Sequence, residues 1–318
     1  MDIDFKEMRD KLSGLYVLMA TPFKANFELD LEGVRENVRF LLDNGIKGEA
    51  GILVPGAGVG EGVYLSLEEH RGLVKAVLAE AAGKIPVFPG VHLNGSLEAE
   101  KYCKQLQDMG VAGIQLAPPA AYMIPTDDAI VTHYKRVAEA APKLGIIVYN
   151  TYWEWGLPSY RDMTPNLVGR LLEIKNVVGV KWGSKTLSNF TACLDEHAGK
   201  CAFFNNMGYE GLIPCYLMGG RGFLAGEFAP WYSLKLKSLL ERRKYAEAWD
   251  EMERWAFPWT RLQKTIVSQG GNGFAIGKAL LEVAGLHAGP PRPPQTSLPR
   301  AQCQRIENLV KETGILSK

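Results

Sequence analysis

Eight short apolar runs rich in β-branched residues recur along this chain, each closing on Gly, Pro or a small polar residue and each followed by a helix-like stretch. They lie at Gly14 to Thr21, Gly51 to Pro55, Pro86 to Val91, Gly113 to Ala117, Gly145 to Asn150, Val177 to Trp182, Ala202 to Asn206 and Gly222 to Gly226. The intervening segments, such as LEGVRENVRFLLDNG and SLEEHRGLVKAVLAEAAG, place apolar residues three and four apart and end on Gly45 and Gly83 as C-caps. Continuous apolar strands alternating with amphipathic helices imply a parallel sheet covered by helices, and eight such units closed on themselves give an α/β fold, the (β/α)₈ TIM barrel. A doubly wound open sheet is the rival. Its glycine-rich turn is missing after the first strand, where ATPF stands instead. Residues 1–230 are therefore read as the barrel with a short N-terminal extension. Residues 231–318 are read as C-terminal helices packed on it as one structural unit, since the proline-rich GPPRPPQTSLP is too short for a domain linker.

Composition narrows the class of partner. Lys plus Arg total 36 against 35 for Asp plus Glu, and they are scattered, so nucleic acid and acidic membrane surfaces are not expected partners. The N-terminus MDIDFKEMRDKL is charged, and no run approaches the ~18 apolar residues of a membrane span. A cytoplasmic protein acting on a small molecule is expected. The five cysteines, Cys103, Cys193, Cys201, Cys215 and Cys303, form no CxxC pair and read as core residues. No metal site and no cofactor are expected.

In a barrel of this kind the reactive side chains sit at the C-terminal ends of the strands. The fifth run, GIIVYN, ends on Tyr149 and Asn150, and the sixth, NVVGVKW, brings Lys181 to its end. A lysine behind Val177, Val178 and Val180 is partly desolvated, which favours the free amine and its attack on a ketone. The bland alternative is a lysine snorkelling into solvent. Tyr149 on the neighbouring strand favours the chemical reading, because a phenol beside the amine can move the protons of carbinolamine dehydration. Alone, it would read as a core tyrosine with a bonded hydroxyl. Ser184, Asn206, Glu227 and His92 also fall near strand ends, though bonding within loops is the commoner fate of such groups. His92, without ligand partners at suitable spacing, is not a metal site.

With these residues in view, the sequence resembles the dihydrodipicolinate synthase and N-acetylneuraminate lyase superfamily of class I, Schiff-base-forming aldolases. The likeness runs from GLYVLMATPF to AGPPRPP. It is carried by ATPF at Ala20 to Phe23, by Gly60 and Glu61 of GVGEG, by Tyr149 and Asn150, by GVKWGS at Gly179 to Ser184, and by GGRGF at Gly219 to Phe223. The resemblance implies a Schiff-base lysine at Lys181, a proton-relay tyrosine at Tyr149, a reaction on pyruvate or a related 2-oxo acid without metal or cofactor, and a homotetramer built as a dimer of dimers. The substrate-binding set expected is Gly58, Val59, Gly60, Trp153, Leu224 and Tyr122.

Three departures bear on the substrate. Where family members commonly have two threonines before Gly-Glu, this chain has Ala57, Gly58 and Val59, so a threonine relay cannot operate and backbone N–H groups of the loop are left to bind a carboxylate. The alternative for Gly56, Gly58 and Gly60 is a tight turn and nothing more. After Tyr149 no arginine appears until Arg161, and Tyr152, Trp153, Glu154 and Trp155 stand there instead, which suits a bulkier substrate or simple core packing. The fourth loop reads PPAAYMIP, with Tyr122 one residue out of the position where relatives place a tyrosine. The expected activity is a Schiff-base lyase or aldolase on a 2-oxo acid, with an aldehyde as the further reactant. A hydro-lyase or a hydratase-aldolase on a larger 2-oxo acid is the alternative. Dihydrodipicolinate synthase itself and a non-catalytic 2-oxo-acid-binding homologue rank lower.

Overall fold

The computed structural model describes residues 3–93, 95–119, 125–150, 162–183 and 186–317. Its strands are β1 (Gly14–Leu18), β2 (Gly51–Val54), β3 (Gly90–Val91), β4 (Gly113–Leu116), β5 (Gly145–Asn150), β6 (Val177–Trp182), β7 (Ala202–Asn205) and β8 (Gly222–Ala225). The helices are α1 (Phe5–Lys11), α2 (Leu31–Asp43), α3 (Leu67–Ala81), α4 (Ser96–Asp108), α5 (Asp127–Ala140), α6 (Pro165–Leu172), α7 (Leu187–His197), α8 (Leu212–Leu217), α9 (Pro230–Glu241), α10 (Tyr245–Glu251), α11 (Phe257–Ser268), α12 (Gly273–Val283) and α13 (Arg300–Thr313). Strand order is β2-β1-β8-β7-β6-β5-β4-β3, and a parallel bridge from Leu53 to Val87 joins the two ends. The fold is a (β/α)₈ barrel followed by further helices.

Strands β5 and β6 have the bounds expected from sequence, and every residue in both is buried, as a parallel strand covered on both faces requires. The third differs. Instead of a ladder from Pro86 to Val91 there is one bridge at Val87 and a two-residue strand. Pro86 and Pro89 have no N–H to donate, so each serves through its carbonyl, to the N–H of Leu53 and of Gln115 respectively. The first strand stops at Leu18 because the chain beyond it finds partners outside the ladder: the Ala20 N–H donates to Glu227, and the Thr21 hydroxyl to the Gly60 carbonyl.

Two compact units make up the chain. The first comprises Met1–Tyr16, Gly51–Val54 and Pro86–Leu224 and holds most of the sheet. Inside it the strands carry glycine where a side chain would collide: a Cβ on Gly113 would meet the Phe88 ring, and one on Gly222 would lie 2.4 Å from the Phe204 ring and 2.5 Å from the Gly14 carbonyl oxygen. Glycine at these two positions thus admits the neighbouring phenylalanine rings. Gly222→Ala is expected to cost roughly 1–3 kcal/mol by overpacking, read as a lower denaturation midpoint; an unchanged midpoint would show that the packing there can relax. Arg9 of α1 donates to the carbonyls of Ile174, Lys175 and Val177, fastening that helix beside the start of β6.

The second unit comprises Val17–Ala50, Pro55–Ile85 and Ala225–Lys318. Helix α3 starts with a capping box between Ser66 and Glu69, and α2 with the Asp30 carboxylate on the Gly33 N–H. None of the described helices is long and apolar enough to cross a membrane.

Candidate active site

Lys181 and Tyr149 are direct neighbours in the β5–β6 register, and Phe204 of β7 is level with them. Alternate residues of a strand point the same way, so the lysine, the tyrosine and the phenylalanine share one layer of the barrel. Both reactive candidates are 1% exposed, deeper than the partly desolvated position expected from sequence. The lysine Nζ stands 3.9 Å from the Tyr149 ring centroid and 5.4 Å from that of Tyr16, which comes from β1 and meets Phe204 edge to face.

Around them is a polar chain that the sequence reading did not assemble. The Tyr16 hydroxyl donates to Gln115 Oε1 at 2.7 Å, and Gln115 Nε2 is 3.1 Å from His92 Nε2. Tyr16 and Gln115 are fully buried, whereas His92, just past β3, is partly exposed and meets Tyr149 edge on at 6.2 Å between centroids. The available signal was Gln115 itself, one amide in the apolar run GIQLA. Asn150 serves structure: its amide donates to the Gly183 carbonyl and to Asp162, and its oxygen accepts the Met163 N–H. Asn206 donates its backbone N–H to the Trp182 carbonyl. Leu224 lies in β8 and is partly exposed. Trp153 and Tyr122, with Tyr152, Glu154, Trp155 and Ser184, lie outside the described residues.

The remaining expected residues belong to the second unit. Gly58, Val59 and Gly60 form a 3₁₀ turn with the Val59 side chain exposed and Gly60 buried. Glu61 follows in the left-handed region at φ +54° and is wholly buried. Its carboxylate is 3.1 Å from Lys278 Nζ and accepts the Arg292 N–H. The same Nζ donates to the carbonyls of Thr21 at 2.7 Å and Ala288 at 3.0 Å, and lies over the Phe23 ring. Arg292 clasps Glu69 through both terminal nitrogens, holding that carboxyl down at about 2, chiefly through these hydrogen bonds. ATPF and GVGEG are therefore joined physically. Thr21 ties down the turn through Gly60, and Phe23 lies beneath the two cations. Here too is Glu227, whose Oε2 accepts the Ala20 N–H at 2.7 Å. Burial raises its carboxyl to about 8, while the Ala20 N–H and the charge of Lys278 pull the other way. Burial likewise holds the Lys278 amine below its ordinary range, against the attraction of Glu61.

Comparison with known proteins finds the same barrel topology and a family to go with it. The model of the Dihydrodipicolinate synthetase family matches residues 11–313. The chain belongs to that family. Among its relatives, the 4-hydroxy-tetrahydrodipicolinate synthase of Archaeoglobus fulgidus is 30% identical over 311 residues, covering 96% of this chain and 99% of its own. That of Methanospirillum hungatei is 26% identical, covering 93% and 98%. A solved dihydrodipicolinate synthase from Oceanobacillus iheyensis superposes with a TM-score of 0.83 at 25% identity, covering 97% and 98%. The N-acetylneuraminate lyase of Proteus mirabilis shares the fold at 20% identity, with a TM-score of 0.81 and coverage of 96% and 99%. As a member of the dihydrodipicolinate synthetase family, the protein is an enzyme of the lyase class.

Proposed function

We propose that the protein is a Schiff-base lyase in which the amine of Lys181 condenses with the ketone of pyruvate or a related small 2-oxo acid. The observation that carries this reading is the Lys181 amine, buried in the barrel against the Tyr149 ring. Desolvation disfavours an ammonium ion, and the free amine is the nucleophile. Attack on the ketone gives a carbinolamine; loss of its hydroxyl as water gives the iminium. The iminium withdraws the electron pair released at the neighbouring carbon, so carbon–carbon cleavage, its reverse, or elimination of a hydroxyl all proceed through the same intermediate. This electron sink removes any need for a metal or cofactor. Tyr149 moves the protons.

The carboxylate of the 2-oxo acid is assigned to backbone N–H groups of Gly58, Val59 and Gly60, because no hydroxyl stands in that turn. Leu224, Trp153 and Tyr122 are assigned to the rest of the substrate. Membership of the dihydrodipicolinate synthetase family supports pyruvate as the 2-oxo acid. The missing hydroxyls at 58 and 59 and the lack of an arginine between Tyr149 and Arg161 favour an aldehyde other than that used by dihydrodipicolinate synthase, bulkier and less anionic. A homotetramer in the cytoplasm completes the reading.

Borohydride reduction in the presence of pyruvate is expected to add one pyruvate-derived mass, mapping to the peptide that carries Lys181, and Lys181→Met is expected to abolish it. An adduct mapping elsewhere, or none with any 2-oxo acid, would refute the reading.

A further inference from the structure

We infer that His92 determines specificity, contacting an oxygen on C4 of the substrate, and that Gln115 and Tyr16 are positioning residues that aim it. This rests on the Schiff-base reading and extends it to the part of the substrate beyond the 2-oxo acid head. Barrel interiors are ordinarily filled with branched apolar side chains. Here β1 and β4 place a tyrosine hydroxyl and an amide inside, both fully buried. A buried polar group is costly unless bonded, and a satisfied network fixes the geometry of its members. Of the three described members of this network His92 is the partly exposed one, so the orientation set inside the barrel is delivered to an imidazole just past β3. With Gln115 Oε1 occupied by the Tyr16 hydroxyl, its amide donates to His92 Nε2, which assigns the ring proton to Nδ1.

Distances suit the role. The His92 ring is edge on to Tyr149, whose own ring is 3.9 Å from the Lys181 amine. Those separations put the imidazole no more than about 10 Å from Nζ. A substrate joined to Nζ through C2 and bearing an oxygen on C4 reaches on the order of 8 Å from the nitrogen once one hydrogen bond is added. Pyruvate, which ends at C3, has no oxygen on C4 to make this contact. A site built to bond a hydroxyl rejects the analogue lacking it far more strongly than an apolar pocket rejects an added hydroxyl.

The test uses the full chain and three probes: pyruvate, 2-oxopentanoate and 4-hydroxy-2-oxopentanoate, the last two differing in one hydroxyl at C4. For each, the concentration giving half-maximal borohydride trapping on Lys181 is measured. The unaltered protein is expected to favour the hydroxylated acid by about tenfold or more. His92→Phe is expected to remove that preference and leave the pyruvate value within about twofold, which a merely structural role would not do. Tyr16→Phe, which keeps the ring and removes the hydroxyl, is expected to weaken the preference by several-fold, and His92→Asn to restore part of it. Equal preference in the unaltered protein and His92→Phe overturns the inference while leaving the Schiff base intact. Absence of any adduct in the unaltered protein overturns both. Should His92→Phe fail to fold, Tyr16→Phe and His92→Asn decide: a preference unchanged in both overturns the inference.

Discussion

Lys278→Met is expected to destabilise the protein by about 3–5 kcal/mol, because it removes one partner of a buried ion pair and leaves the other charge where water cannot reach it. Lys278 is 2% exposed and Glu61 is not exposed at all, so solvent offers no substitute. The lysine also satisfies the carbonyls of Thr21 and Ala288, two acceptors that methionine cannot serve. Denaturant unfolding of Lys278→Met, Glu61→Gln and the double variant isolates the coupling of the pair. The double variant is expected to be more stable than the sum of the two single losses implies. A loss below about 1 kcal/mol in Lys278→Met would show that the cluster relaxes or admits water.

The second large effect is on the pH profile of stability. Glu227 is raised from its ordinary 4.5 to about 8, with burial the leading cause. A carboxyl whose folded value lies above its unfolded value binds more protons in the native state across the interval between them. Stability from this group is therefore full below about pH 4.5 and is lost as pH rises through about 8. At ~1.4 kcal/mol for each tenfold change in proton affinity, the loss is bounded at about 5 kcal/mol. Glu227→Gln keeps the shape and the acceptor for Ala20 without the charge, so its stability is expected to be flatter between pH 5 and 9 and higher than that of the unaltered protein at pH 9. Parallel profiles for the two proteins would show that the carboxyl is already ionised at neutral pH.

The barrel was legible because its strands are short, apolar and spaced by amphipathic helices, all local properties. The placement of Lys181 and Tyr149 on neighbouring strands was legible for the same reason: each stands near the end of a run whose bounds the structure reproduces. The third strand misled because composition favoured a strand while two missing N–H groups decided the ladder. What escaped is non-local. Tyr16 and Gln115 are 99 residues apart, and neither announces a partner. Lys278 lies in GFAIGKALLEV, where a lone cation in an apolar helix is a signal of burial, yet nothing there names Glu61 as its counter-charge. Glu227 read as one of several polar groups near strand ends, and only packing distinguishes it from the others.

The clasp on Glu61 also sets an order of events on the ribosome. The turn that carries Gly58–Gly60 emerges early, but its carboxylate accepts the N–H of a residue made 231 positions later, in the segment between α12 and α13. Until Lys278 is made, the nascent chain holds a carboxylate that its fold will bury and has no cation to match it. The eight strands can be synthesised before the matching cation exists, so the second unit is completed last, and a chain released before Lys278 and Arg292 lacks both partners of Glu61.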